Sequence, residues 1–130
     1  GLESVGKEKA IDAVAMHLEK LGYVEKGYSK YMQEREKIST TYIGNYVAIP
    51  HGTVDGKKEV LKSGIVILQY PEGIDFGNGN KAYFLIGIAG KNDEHVEIIS
   101  KIADVIEDED EVLALKNEKN AEKIYKTFNV

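Results

Sequence analysis

Leu61-Lys62-Ser63-Gly64-Ile65-Val66-Ile67-Leu68-Gln69-Tyr70 and Lys81-Ala82-Tyr83-Phe84-Leu85-Ile86-Gly87-Ile88-Ala89 hold the densest apolar runs of this chain. A strand with one wet face would alternate apolar and polar side chains. The cores Ile65-Val66-Ile67-Leu68 and Tyr83-Phe84-Leu85-Ile86 do not alternate, so they read as strands covered on both faces. Between them, Pro71-Glu72-Gly73 and Gly77-Asn78-Gly79-Asn80 have the composition of turns. Strands buried on both sides need helices above and below, and the flanking sequence supplies them.

From Ser4 to Leu21, apolar residues at Ile11, Val14, Ala15, Leu18 and Leu21 follow helical spacing, with Gly22 as a stop. A more polar helix is predicted from Ser29 to Lys37, broken by Ser39 and Thr40. After the second apolar run, Asn92 or Asp93 is placed to cap a helix that starts near Glu94 and runs through Val96, Ile98, Ile99, Ile102, Ala103 and Ile106. Shorter helices are predicted at Asp110 to Leu115 and Asn120 to Phe128. No repeat, low-complexity segment or linker divides residues 1–130. The expected architecture is a single α/β domain: a mixed, mostly parallel sheet of about five strands, flanked by helices on both faces.

The 130 residues suffice for one core without covalent staples. The absence of cysteine excludes disulfides, thiolate metal sites and a cysteine nucleophile. No apolar run approaches the ~20 residues of a membrane helix, and Gly1-Leu2-Glu3 does not open a signal segment. The reading is therefore a soluble, cytoplasmic chain with no direct membrane insertion. Its first residue is not methionine, which suggests a trimmed chain or a domain cut from a longer one. Acidic and basic residues are interspersed, with a net charge of −5, so no basic face invites nucleic acid. The eight tyrosines show no stacking pattern for bases either. The acidic run Glu107 to Glu111 lacks the alternating ligands and central glycine of a calcium loop.

Chemistry concentrates in Gly44-Asn45-Tyr46-Val47-Ala48-Ile49-Pro50-His51-Gly52-Thr53. Val47 to Ile49 read as a short strand. Proline favours extended geometry before it and glycine permits a sharp turn, so His51 is placed at the strand's carboxyl end, where ligands usually bind in α/β sheets. An imidazole that titrates near neutrality can serve as nucleophile, base or metal ligand, and all three roles stay open. His95 follows the second buried strand and converges on the same edge. His51, Asp55 and His95 form no recognised zinc pattern. A nucleophile that takes an anion would need donors, which Arg35, the Gly52 and Thr53 amides and the start of the Glu94 helix could supply. His17, on the flank of the first helix, reads as structural.

The segments GNYVAIPHGT, LKSGIVILQYPEGIDFG and LIGIAGKNDEHVEII resemble, in order and over nearly the whole chain, the EIIA component of the bacterial phosphoenolpyruvate-dependent sugar phosphotransferase system, in its mannitol type. The resemblance implies that His51 accepts a phosphoryl group through Nε2 from the phosphohistidine of HPr and passes it to a cysteine of the EIIB component. His95 would bond the phosphoryl oxygens and Arg35 would lie beside them. No organic cofactor is implied. Gln69-Tyr70-Pro71-Glu72-Gly73 and Asn92 to His95 favour the mannitol subtype over the fructose and nitrogen-related ones. Tyr46 departs from the small residue that relatives often carry. The alternative function is a regulatory EIIA-like module whose phosphorylation state controls a transcription regulator, with no onward transfer.

Overall fold

A computed structural model describes residues 1–128. The elements run α1 (Lys7–Lys20), α2 (Ser29–Ile38), β1 (Tyr42–Gly44), β2 (Val47–Ala48), a 3-10 turn (Val54–Glu59), β3 (Gly64–Asp75), β4 (Lys81–Ala89), α3 (Glu94–Val105), α4 (Glu109–Ala114) and α5 (Ala121–Phe128). The strands form one sheet in the order β1-β2-β4-β3.

The apolar runs behave as their composition requires. Leu85 and Ala89 of β4 face one core with Val66 and Leu68 of β3, closed by Ile11, Val14 and Leu18 of α1 and Met32 of α2. Phe84, Ile86 and Ile88 face the other, with Ile102 of α3, Val112 of α4 and Ile124 and Phe128 of α5. Helices therefore cover both faces. The Phe84 and Phe128 rings meet edge to face at 5.3 Å, a contact worth roughly 0.5–1.5 kcal/mol beyond area burial.

Two expectations need correction. The sheet has four strands rather than about five, and it is not mostly parallel: β1–β2 and β3–β4 are antiparallel, and β2–β4 is the parallel pair. Connection length is the reason. A parallel return needs a crossover of about a dozen residues or more, whereas only the segment 76–80 joins β3 to β4. β1 and β2 are joined by Asn45 and Tyr46, both at positive φ (45° and 68°), as a two-residue hairpin turn demands.

The second correction concerns Pro71-Glu72-Gly73, which reverses nothing. It lies inside β3, where the register slips between Gln69 and Ile74. β3 is an edge strand, so the missing proline N–H costs no ladder bond. The N-terminal segment covers part of that edge, with the Leu2 N–H donating to the Gln69 carbonyl (2.9 Å) and the Ser4 hydroxyl to that of Gly73 (2.6 Å). The buried Gln69 amide donates to the carbonyls of Leu115, Lys116 and Glu118, tying the α4–α5 connection to the sheet.

Candidate functional site

The parallel β2–β4 pair builds the site. Because β2 and β4 run the same way, their carboxyl ends open on one edge: Ile49-Pro50-His51 leaves β2 there, and Gly90 leads from β4 into α3. The Ile88 N–H donates to the Pro50 carbonyl (2.9 Å), holding His51 in register beside Ile88. Gly90 is required for closeness, since a Cβ there would stand 2.4 Å from the His95 backbone nitrogen. His95 thus begins α3 against the strand end, and the two imidazole centroids lie 6.1 Å apart with planes 28° from parallel.

The His51 ring is oriented from behind. Its Nδ1 lies 2.8 Å from the Ile49 carbonyl, which can only accept, so Nδ1 carries the proton and Nε2 keeps the lone pair. Burial pushes the imidazole pKa below its ordinary value; the Ile49 carbonyl and Glu36 oppose this, and the charges of Arg35 and His95 add to it. A neutral ring with an open Nε2 has the form a nucleophile needs.

Arg35 reaches the cleft from the last turn of α2, with Nη1 donating to the Ser39 carbonyl (2.8 Å) and hydroxyl (3.2 Å). Its neighbour Glu36 is buried: Oε1 accepts from the Thr41 N–H (2.9 Å) and hydroxyl (2.6 Å), and Oε2 stands 3.0 Å from Lys7 Nζ without an aligned hydrogen bond. Burial raises the Glu36 pKa, but hydrogen bonds from Thr41 and Thr40 and the Lys7 contact outweigh it and hold the carboxyl below its usual range. These bonds lock the end of α2 to the strand region that leads to His51, and so position Arg35.

All three predicted residues, His51, His95 and Arg35, therefore line one cleft of about 470 Å³. The backbone donors expected there are partly spent. The Glu94 and Val96 N–H groups bond the carbonyls of Lys91 and Asp93. Sequence reasoning missed Lys57, in the 3-10 turn, and the Thr53 hydroxyl, which is buried without a partner. It also missed an apolar rim: Ile38, Val54 and Val96 line the cleft while 74%, 77% and 61% exposed. Val47 and Ile49, behind His51, are core. Among the described residues no group of three or more acidic or histidine side chains could hold a metal ion.

An open imidazole nitrogen with an arginine, a lysine and a second histidine around it suits a domain that takes an anionic group onto histidine. The chain belongs to the family "phosphoenolpyruvate-dependent sugar phosphotransferase system, EIIA 2", whose model matches residues 2–130. It is 46% identical over 123 residues to the mannitol-specific phosphotransferase enzyme IIA component of Bacillus subtilis (strain 168), covering 95% of this chain and 86% of that one. Identity to the same component of Geobacillus stearothermophilus is 48% over 126 residues, 88% of this chain and 87% of that one. The structure is also similar to enzyme IIA-mannitol in its complex with phosphorylated enzyme IIB-mannitol from Escherichia coli: TM-score 0.92, 38% identity, 98% of this chain and 90% of that chain. The protein is thus a phosphotransferase component that relays a phosphoryl group within that system.

Proposed function

We propose that His51 is the phosphoryl acceptor, that HPr is its donor, and that a mannitol-type EIIB is its onward partner. The observation that carries the reading is the Nδ1 contact to the Ile49 carbonyl, which leaves Nε2 as the lone pair. That lone pair attacks phosphorus, the P–N bond of the donor phosphohistidine breaks, and its electrons return to the donor ring. In the second step a thiolate of EIIB attacks, a P–S bond forms, and the His51 P–N bond breaks. Phosphoryl transfer passes through a loose state with charge on three equatorial oxygens, so the protein mainly supplies position and fixed positive charge. Arg35 and His95 fill that role.

Mannitol specificity and the EIIB partner are supported by the names of the relatives and of the similar complex. Because this chain recognises the partner and not the sugar, specificity is partner specificity. No helix among the described residues is long and apolar enough to cross a membrane, compatible with work at the cytoplasmic side of a permease. The test is His51→Ala, which should fold but take no acid-labile phosphate from phosphorylated HPr. Labelling at the wild-type level would move the acceptor elsewhere.

A further inference from the structure

A second charged device spans the cleft mouth. Lys57, six positions after His51, forms an ion pair with Asp93, two positions before His95. Among the ion pairs of the described residues it is the one that joins the two histidine-bearing segments. Both side chains stay open to solvent, at 42% and 68% exposure, so the pair is screened and readily exchanged.

Asp93 is also an unusual partner. It occupies the N-cap position of α3, yet its carboxylate makes no capping bond and is instead spent on Lys57. The residue sits at φ 65°, next to Asn92 at 56°, a left-handed pair without glycine. The cleft therefore holds a carboxylate close to where a phosphoryl group, with roughly −1.5 to −2 charge at neutral pH, would arrive. An anion of that charge competes with Asp93 for the ammonium.

We propose that Lys57 is a phosphoryl ligand held in reserve by Asp93: the pair stands while His51 is unmodified, and the ammonium passes to the phosphoryl oxygens once His51 carries the group. This rests on His51 being the acceptor. The released Asp93 carboxylate stays at the head of α3, beside the positive end of the helix dipole. Its charge near the phosphoryl group limits how tightly the group is held, which keeps it transferable.

A purely structural clasp and this exchange differ in sign. Cutting a clasp from either side does the same damage, whereas here Lys57 favours phosphorylated His51 and Asp93 opposes it. The measurement is the equilibrium of phosphoryl transfer from phosphorylated HPr to wild type, Lys57→Met, Lys57→Arg and Asp93→Asn. Thermal unfolding should show all four folded. Lys57→Met should lower the transfer equilibrium constant by roughly three- to tenfold, Asp93→Asn should raise it severalfold, and Lys57→Arg should restore most of the loss. Equal-sign effects, or a Lys57→Met value equal to wild type, would overturn the exchange while leaving His51 as acceptor. A wild-type protein that takes no phosphoryl group would remove both readings together.

Discussion

At the scale of the residue, the fold spends most of its effort on the state of one imidazole. Burial, with the nearby charges of Arg35 and His95, keeps His51 neutral below the pH at which a free histidine gains its proton, despite the Ile49 carbonyl and Glu36. Folding therefore favours the neutral ring. That contribution is complete above the unfolded pKa of about 6.5 and is lost as pH falls through the depressed folded value. The rate of phosphoryl acceptance should follow the same titration, with its acid limb centred below 6.5; a midpoint at or above 6.5 would contradict it. Arg35→Ala removes one of the charges that lower the pKa and should move the midpoint up. Arg35→Lys should leave the midpoint in place yet slow transfer, because an ammonium lacks the fork that grips two oxygens.

Among the elements, the start of α3 matters most, since it presents His95. Its packing against the end of β4 depends on Gly90, where a Cβ would also meet the His95 Cβ at 2.5 Å. Gly90→Ala must push the first turn of α3 away from the strand. The expected cost is about 1–3 kcal/mol of stability from overpacking, together with a transfer rate reduced about tenfold or more as His95 leaves its place. Unfolding and transfer measured on the same sample would check it, and an unchanged rate would mean that the His95 position is not critical. The β1–β2 hairpin shows a similar dependence on neighbours. Tyr46 holds a left-handed φ that a bulky residue rarely adopts, and its hydroxyl donates to Glu109 (2.9 Å) while its ring lies 5.2 Å from that of Tyr83.

Viewed whole, the molecule presents one chemical face. The apolar rim of Ile38, Val54 and Val96 surrounds the charged cleft, an arrangement suited to excluding water when a partner docks. If donor and acceptor both reach His51 through this face, they compete for it. Val54→Asp, at a side chain with little packing to lose, should raise the KM for HPr and for a mannitol-type EIIB alike, by roughly tenfold, with kcat and the unfolding temperature nearly unchanged. A rise for one partner alone would indicate separate docking faces.

The sequence by itself determined the helices, the two buried strands and the strand-end histidine, because each is a local matter of periodicity, turn chemistry and the stiffness of Pro50 before His51. It also placed His51, His95 and Arg35 as candidates, and all three line one cleft. Strand direction was another matter: it depends on how short a connection closes, and the mostly parallel reading failed at the short return between β3 and β4. β1, with three half-buried residues, was too short to leave a hydrophobic signature. Pro71 read as a turn because its tolerance in β3 depends on the strand lying at an edge. Only the tertiary structure could bring Lys57 to Asp93, bury Glu36 behind Arg35, or gather Ile38, Val54 and Val96 around one opening. Most of those contacts join segments far apart along the chain, and local patterning has no reach across that distance.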